Sequence, residues 1–370
     1  MATKHIVHIS TVHDDSDTRI VHKQCPGLAK QGFNVTLIIQ TDSDTEYCGF
    51  RIKALPKTKS RTVRMTVLMA KAFQLAWSEK ADIYHLHDPE LIPMGLLLKI
   101  LGKTVIYDMH ENLPAQILDK DWIVWWLRRP ISFGIKLIER VVLSQISVVF
   151  AEMSYLKSYS WVKSKEVILN LPMVDKLTGL SHSKFDSPSI GYIGMVTRDR
   201  GAFTTLDALS NMRDNGVSVY FECIGPVDVS VSKHDYFQQG VDKGWIHAPG
   251  IMSPIIGWDL IAQCHIGIAI LHPIGNYVES YPTKMFEYMA MGLPVIVSDF
   301  ELYKDVVEKH KCGICVNPES TEQLTEAIQF LLLNPNEAIE MGERGQQATR
   351  KYYNWQAELD KLVTFYNKLF

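Results

Sequence analysis

The sequence predicts an α/β protein built from two doubly wound parallel-sheet domains that face each other across a cleft. Short β-branched runs alternate with amphipathic helical segments along the chain. This alternation stops in a polar segment at residues 178–189 and then starts again. The length of 370 residues also exceeds the size at which one hydrophobic core keeps growing. We therefore expect one domain at residues 1–180 and a second at residues 188–352.

In the first half of the chain, β-branched runs predict strands, and the periodic segments between them predict crossover helices. Helices are expected from about Ile20, over residues 63–79 and near Leu91, and a long helical stretch precedes two more strands near Val148 and Val167. Because successive parallel strands need such crossovers, the pattern indicates a parallel sheet. The clearest strands are HIVHIS (5–10), NVTLIIQ (34–40), GFRIKAL (49–55), IYHLH (83–87) and TVIYDM (104–109).

The second half repeats this rhythm and ends in two helices without new strands, at residues 338–350 and 354–369. Ligands of open parallel sheets bind beyond the carboxyl ends of the strands. We therefore expect chemistry in loops such as those after Met109, Gly194 and Leu271. The predicted strands are SIGYIG (189–194), VYFECIG (219–225), IGIAIL (266–271), PVIVSD (294–299) and GICV (313–316). The predicted helices between them start at Ala202, Ile255, Lys284, Leu302 and Thr321.

Composition excludes several classes of function. The 38 basic and 41 acidic residues create no general field for a polyanion, so nucleic acid is not an expected partner. No run of 18 uncharged apolar residues predicts a membrane span. The six scattered cysteines and the lack of a signal-peptide layout favour the cytoplasm. The turn at residues 11–20 contains no glycine, which argues against a dinucleotide cofactor.

The most informative segment starts at Glu279 and continues into a predicted helix. Pro282 and Thr283 form the helix start, with Thr283 as the expected cap, so the first N–H groups can face an anion. Lys284 adds a positive charge, while Glu279 and Glu287 are placed to accept hydrogen bonds from sugar hydroxyls. From these residues alone, a nucleotide-sugar site and a helix start with solvated charges both stay open.

This segment resembles the signature of glycosyltransferase family 4, retaining enzymes with the GT-B fold of two Rossmann-like domains. The likeness consists of an E-x7-E pattern from Glu279 to Glu287, followed by an A-x-G-x-P-V run at residues 290–295. The segment GYIGMVTRDRG at residues 191–201 is similar to the loop that opens the second domain of the family. The resemblance extends along nearly the whole chain and is to the bacterial surface-polysaccharide type.

The resemblance implies a donor site in the second domain, with Glu279 at the donor sugar, Glu287 at the ribose and Arg198 and Arg200 at the diphosphate. Forked guanidinium donors suit phosphate oxygens on which charge grows as the sugar leaves. The complete predicted set is Arg198, Arg200, Thr283 and Lys284 for the diphosphate, and Glu279, Tyr281, Pro282 and Glu287 for the sugar and ribose.

Four positions in these two segments depart from the family pattern. Met195 stands where many members have arginine, and Arg200 replaces the lysine usually found before Gly201. Tyr281 and Pro282 replace the common Phe-Gly pair, and proline removes one backbone donor there. The sequence therefore leaves open which arginine meets which phosphate.

The resemblance also assigns residues outside the donor site. His110 aligns with the histidine that family members place beside the transferring sugar, so His110 and Glu279 are the predicted catalytic residues. Trp355 resembles the residue where the terminal helix, here residues 354–370, crosses back to the first domain in GT-B enzymes.

Four further residues are assigned to the acceptor side: Asp17, Arg19, His85 and His87. His85 and His87 share one face of a strand, but no third ligand has a suitable spacing, so packing or an acceptor role is favoured over a metal. Asp17 and Arg19 either line the acceptor side or cap the first helix. We expect no metal and no cofactor beyond the nucleotide-sugar donor.

An aromatic and basic segment follows residue 119. Tryptophan rings beside arginines suit a membrane interface, whereas tryptophan is also common in protein cores. The sequence leaves both alternatives open. The residues concerned are Trp122, Trp125, Trp126, Arg128 and Arg129.

Together these features predict a retaining, metal-independent transferase that moves a hexose or N-acetylhexosamine from a UDP- or GDP-linked donor to a hydroxyl. The resemblance suggests a saccharide acceptor on polyprenyl diphosphate, in surface-polysaccharide or O-antigen synthesis. Such an enzyme is expected in the cytoplasm or peripherally on the inner face of the membrane. The alternatives are a nucleotide-sugar epimerase of the same fold and a non-catalytic nucleotide-sugar-binding module.

Overall fold

The computed structural model describes residues 3–118, 120, 122–180 and 183–370. The chain divides into two compact units, of which the first comprises Met1–Asn170 and Trp355–Phe370 and the second Leu171–Asn354. Each unit is built on one sheet. No helix among the described residues combines the length and the apolar character needed to cross a bilayer.

The first unit contains an eight-stranded sheet in the order β3-β4-β2-β1-β5-β6-β7-β8. All described pairings are parallel except that of β3 with β4. The strands are β1 (His5–Asp14), β2 (Asn34–Gln40), β3 (Thr45–Tyr47), β4 (Phe50–Leu55), β5 (Ile83–Leu86), β6 (Thr104–Met109), β7 (Ser147–Phe150) and β8 (Lys165–Val167). Their helices are α1 (Cys25–Lys30), α2 (Arg61–Val63), α3 (Met69–Glu79), α4 (Ile92–Ile100), α5 (Leu113–Leu118), α6 (Trp125–Leu143) and α7 (Tyr155–Ser158).

The central strands of this sheet are buried on both faces, as in parallel sheets covered by helices. Val7, Ile9, Tyr84, Leu86 and Tyr107 belong to one buried cluster. Strand order reverses between β1 and β5, so the loops after these two strands border a crevice. The first helix, expected from Ile20, starts there with a π-helical turn at Ile20–Gln24.

The second unit contains a six-stranded sheet in the order β11-β10-β9-β12-β13-β14. Its strands are β9 (Ser189–Ile193), β10 (Tyr220–Ile224), β11 (Ile246–Gly250), β12 (Ile266–Ala269), β13 (Val295–Ser298) and β14 (Gly313–Val316). Its helices are α8 (Val174–Leu177), α9 (Ala202–Asp214), α10 (Val229–Ser232), α11 (Asp235–Asp242), α12 (Pro254–Ala262), α13 (Thr283–Ala290), α14 (Glu301–His310), α15 (Thr321–Leu333) and α16 (Pro335–Tyr352).

The division between the units lies after Asn170, ahead of the segment 178–189 that the sequence marks as a linker. Leu171, Val174 and Leu177 are buried, and helix α8 contacts α13. Burial of these apolar side chains attaches residues 171–180 to the second unit, which corrects the predicted boundary at residue 180. Residues 181 and 182 of that segment lie outside the described residues.

The last helix, α17 (Trp355–Asn367), belongs to the first unit. Leu359 packs closely on Gly27, and a Cβ atom added to Gly27 would lie 2.8 Å from Leu359 Cδ2. The backbone N–H of Leu169 donates to Glu358 Oε2 at 2.8 Å. Trp355 is 5% exposed, so the start of this helix is anchored by burial.

Candidate functional site

A cavity of about 540 Å³ lies at the carboxyl edge of the second sheet. It is bordered by Gly194 after β9, Gly225 after β10 and Leu271 after β12. Strand order reverses between β9 and β12, so the cavity occupies the place where open α/β sheets bind their ligands. The start of α13 closes its other side.

Two glycines allow the loops of this cavity to approach closely. Gly194 has φ 129° and Gly225 has φ 131°, conformations that side chains disfavour. A Cβ atom on Gly225 would lie 2.2 Å from the carbonyl oxygen of Gly194. Both loops therefore depend on the absence of a side chain at residue 225.

Two cations converge on the loop at Gly194. A Cβ atom there would lie 3.1 Å from Lys284 Nζ and 3.6 Å from Arg200 Nη1. Lys284 Nζ donates to the hydroxyl of Tyr192 at 2.7 Å and lies 4.0 Å from the centroid of that ring. Arg200 Nε donates to the hydroxyl of Tyr277 at 3.4 Å. Two positive charges held by neutral partners form a site suited to an anion.

The environment of Lys284 sets its charge. Burial and, to a lesser extent, the charge of Arg200 lower the pKa of Lys284 to about 7, and the charge of Glu287 opposes both effects. At neutral pH about half of the molecules therefore carry Lys284 in its protonated, ammonium form. A bound anion favours the protonated form, so anion binding and protonation of Lys284 are coupled.

The N-terminus of α13 faces the same cavity. Its preceding residue is Pro282, with φ −74° and ψ 113°, whose own side chain supplies no capping hydrogen bond. Thr283 is the first helical residue, which corrects its predicted role as the cap. The first-turn N–H groups and the helix dipole add positive potential at this end. Glu287, one turn further along, also lines the cavity.

The structure brings together six of the eight predicted donor-site residues. The cavity wall contains Arg200, Tyr281, Pro282, Thr283, Lys284 and Glu287. Arg198 is not part of this wall, because its guanidinium lies 4.6 Å from the ring of Phe203. Glu279 is exposed in a short turn at Tyr277–Glu279 and does not line the cavity either. The expectation that Glu279 and Glu287 flank one anion site is therefore not met in this conformation.

A second polar cluster lies at the carboxyl edge of the first sheet, around the buried Asp108. Arg19 donates to it twice, from Nε to Oδ2 at 3.1 Å and from Nη2 to Oδ1 at 2.9 Å. Gln24 Nε2 donates to Oδ2 at 2.7 Å. Burial alone would raise the pKa of Asp108, but Arg19 and His110 hold it well below the usual range. Asp108 is therefore a carboxylate at neutral pH.

Three buried histidines extend this cluster inward. His8 Nδ1 and His87 Nε2 share a hydrogen bond of 2.9 Å, and His85 Nδ1 is hydrogen-bonded to the hydroxyl of Tyr366. Burial lowers the pKa of His87 to about 3 and those of His8 and His85 well below 6.5, so all three rings are neutral at pH 7.

His8 supplies the third potential metal ligand that spacing along the chain does not reveal. Parallel pairing places it opposite His85, and ligand atoms of His8, His85 and His87 lie within 4.8 Å of one another. A second such group contains His87, Asp108 and His110. However, His8 and His87 direct nitrogens at each other, and the guanidinium of Arg19 already pairs with Asp108. These contacts favour a hydrogen-bonded network over a bound cation.

The predicted catalytic residue His110 and the two remaining acceptor-side predictions, Asp17 and Arg19, border this network. His110 Nε2 lies 3.4 Å from Asp108 Oδ2. Asp17 pairs with His13 at 2.8 Å and accepts from the backbone N–H of Ile20 at 2.7 Å, so it holds the start of the first helix. Arg19 is 5% exposed and turned toward Asp108. These contacts support the alternative in which Asp17 caps the first helix.

The tryptophans after residue 119 are not core residues. Trp122, Trp125 and Trp126 are 69%, 78% and 58% exposed, respectively. The alternative in which these rings pack against the sheet is therefore wrong. Arg128 Nε donates to the carbonyl of Ile123 at 2.9 Å, whereas Arg129 is exposed.

Comparison with known proteins identifies a family segment around the cavity. The model of the family described as Glycosyl transferases group 1 matches residues 258–348, which include all of α13. A GDP-mannose-dependent α-(1-6)-phosphatidylinositol monomannoside mannosyltransferase of Mycobacterium tuberculosis is 28% identical over 191 residues. That alignment covers 49% of this chain and 47% of the relative, so the chain spans about half the length of the curated relatives it matches.

Solved structures match over almost the whole chain. Sucrose-phosphate synthase from Thermosynechococcus elongatus superposes with a TM-score of 0.74 at 16% identity, covering 99% of both chains. HepE of Anabaena in complex with UDP and glucose gives 0.71 at 12% identity, covering 99% of this chain and 100% of that one. The chain has the GT-B fold.

Proposed function

We propose that the chain is a retaining glycosyltransferase that uses a nucleotide-diphosphate sugar. The observation that carries this proposal is the cation pair of Arg200 and Lys284 at the N-terminus of α13, in a cavity that Glu287 also lines. The family segment at residues 258–348 contains that helix, which supports a donor site there.

The cation pair and the helix terminus would hold the diphosphate. Negative charge develops on the departing phosphate as the bond to the sugar breaks, and fixed positive groups stabilise it at that moment. Lys284, Arg200 and the N–H groups after Pro282 supply that charge from the protein itself. We therefore propose a metal-independent reaction, with Thr283 contacting the same phosphates.

The carboxylate of Glu287 would accept hydrogen bonds from ribose hydroxyls, and Tyr281 and Pro282 would border the sugar. Glu279 does not line the cavity, so its contact with the sugar remains a prediction from the family likeness. Arg198 also stays a prediction from the family likeness, and its contact with Phe203 supports Arg200 as the principal arginine at the diphosphate.

For the chemical step, we propose that His110 orients the transferring sugar by a hydrogen bond. Asp108 supports this role, because its carboxylate lies 3.4 Å from His110 Nε2 and is itself fixed by Arg19. The proton of the incoming hydroxyl would pass to the departing phosphate oxygen on the same face of the sugar, which retains the configuration. Detection of a covalent glycosyl-enzyme adduct by mass spectrometry would overturn this route.

The donor is a UDP- or GDP-sugar carrying a hexose or N-acetylhexosamine. A solved structure of the same fold contains UDP and glucose, whereas a curated relative is named for GDP-mannose. That relative is also named for a phosphatidylinositol acceptor, which supports a lipid-linked saccharide acceptor for this chain. The family likeness favours polyprenyl diphosphate as the carrier and surface-polysaccharide or O-antigen synthesis as the process.

A panel of UDP-, GDP- and TDP-sugars in a thermal-shift assay tests the donor site, because a bound donor stabilises the chain according to its affinity. We expect donors with one of these nucleotide bases to raise the midpoint of thermal unfolding. The same donor should be consumed when a saccharide acceptor is present. Conversion of the donor sugar without acceptor, followed by NMR, would identify an epimerase instead. Stabilisation without turnover on any acceptor would favour a binding module, and no stabilisation by any donor would overturn the proposal.

A further inference from the structure

Helix α6 presents a continuous apolar face to solvent. Ser132, Glu139, Val142 and Leu143 lie on its buried side. On the opposite side, Trp126, Phe133, Leu137 and Val141 recur at spacings of seven and four residues and are 58%, 70%, 56% and 56% exposed. An amphipathic helix of a globular unit normally buries such a stripe, whereas α6 exposes it to solvent.

Other exposed apolar residues lie near this stripe. Trp122 precedes α6 and Trp125 is its first residue, and they are 69% and 78% exposed. Helix α4 contacts α6, and Leu97, Ile100 and the following Leu101 are also exposed. Single exposed apolar residues are common, but a group of this size marks an interaction surface. We call Trp122, Trp125, Trp126, Phe133, Leu137 and Val141 the α6 face.

The exposed charged residues of helix α6 itself are all basic. Arg129, Lys136 and Arg140 are exposed and repeat the spacing of seven and four residues, so they form a parallel row along one edge of the stripe. The single acidic residue of α6, Glu139, is 1% exposed and accepts a hydrogen bond of 2.9 Å from the hydroxyl of Tyr159. Asp119 and Asp121, which precede α6, lie outside the described residues.

We infer that the α6 face docks onto an anionic lipid surface, with the tryptophan rings at headgroup depth and α6 parallel to the bilayer. Aromatic rings beside a basic row are the chemistry of interfacial helices, and the row complements anionic headgroups. A second copy fits less well, because a two-fold contact with antiparallel α6 helices brings the two basic rows to the same side. The α6 face lies on the first unit and its test needs no sugar donor, so failure of docking and failure of sugar transfer are distinguishable.

Flotation of the full chain with lipid vesicles tests this inference. We expect binding to vesicles of one part phosphatidylglycerol to two parts phosphatidylcholine, weak binding to phosphatidylcholine alone, and release in about 1 M salt, where the screening length falls to about 3 Å. The Trp125→Ser/Trp126→Ser variant should lose flotation. Each cation near an anionic surface strengthens binding about fivefold, so Arg129→Gln/Lys136→Gln should weaken it roughly 25-fold.

The matched control removes equally exposed apolar side chains elsewhere. Leu333 and Ile339 are 80% and 60% exposed in the second unit, and the Leu333→Ser/Ile339→Ser variant should float like the parent chain. Unchanged thermal midpoints establish that the variants are folded. Absence of flotation in the parent chain, or equal flotation of the tryptophan variant, would overturn the inference. So would a concentration-dependent dimer in sedimentation that the tryptophan substitutions abolish, because a second copy would then cover the face.

Discussion

Donor affinity should depend on pH through Lys284. Burial lowers the pKa of this lysine to about 7, and only its ammonium form attracts the donor diphosphate. With that pKa, the protonated fraction is about 0.9 at pH 6 and about 0.1 at pH 8. If the bound diphosphate keeps the lysine protonated throughout this range, donor affinity should fall about tenfold between the two pH values. This corresponds to about 1.4 kcal/mol of binding free energy.

Substitution of the lysine isolates this effect. Lys284→Met removes a charge-assisted hydrogen bond that contributes roughly 1.5–3 kcal/mol, so donor binding should weaken tenfold or more at pH 6. The loss should be much smaller at pH 8, where most of the parent lysines are already neutral. Binding to the variant should therefore show almost no pH dependence.

Isothermal titration with an intact nucleotide sugar measures these affinities, since its diphosphate lacks the terminal phosphate that titrates near pH 6. Lys184→Met is the matched control. Burial lowers the pKa of Lys184 to about 8, but its Nζ donates to the carbonyls of Ala262 and Cys264, away from the cavity. This control should keep the pH dependence. A parent chain with pH-independent affinity, or a Lys284→Met variant that keeps the slope, would refute the reasoning.

Four further substitutions probe other parts of the account. Glu287→Gln should weaken donor binding roughly tenfold by titration, because the ribose loses a charged acceptor, and an unchanged affinity would remove Glu287 from the site. His110→Ala should chiefly lower turnover while donor affinity is kept, and unchanged turnover would count against its role. Gly225→Ala should lower the free energy of unfolding in urea by about 2 kcal/mol or more, whereas Gly216→Ala, with open space around its Cβ position, should cost only about 1 kcal/mol. Burial raises the pKa of Glu139 from 4.5 to about 7, so between these pH values the native state holds a proton that the unfolded state has lost. The free energy of unfolding should therefore fall by up to about 3 kcal/mol as the pH rises from 4.5 to 7. Glu139→Gln should flatten that fall, and a parent chain whose stability does not change over this range would contradict it.

The order of helices and strands follows from local pattern, and most strands lie where β-branched runs predict them. Two strands lack that signal. All three residues of strand β3 (Thr45–Tyr47) are exposed, and the strand owes its pairing to the turn at Cys48 and Gly49, both with positive φ. Strand β11 contains Pro249 and lies at the edge of its sheet, where a missing N–H is tolerated.

The candidate donor site is predictable where its residues are neighbours in the chain. Lys284 and Glu287 belong to one helix, so spacing alone places them together. Tyr192, which accepts from Lys284, is 92 residues away along the chain and belongs to a strand with no polar signature. Lys284 and Tyr192 meet only because helix α13 packs against the sheet that contains Tyr192.

Side-chain direction is the second thing that spacing does not determine. Glu279 ends a short helical turn in which it is exposed, and the guanidinium of Arg198 lies against the ring of Phe203 and does not line the cavity. In the first unit, strand register brings His8 opposite His85, and burial pairs Arg19 with Asp108 across 89 residues. These contacts depend on tertiary structure and leave no local pattern in the sequence.

A crystal structure of the chain soaked with its nucleotide-sugar donor tests the account most directly. We expect diphosphate oxygens within about 3 Å of Lys284 Nζ and of the Arg200 guanidinium, at the N-terminus of α13. A donor bound with its diphosphate away from both cations would contradict the proposed site.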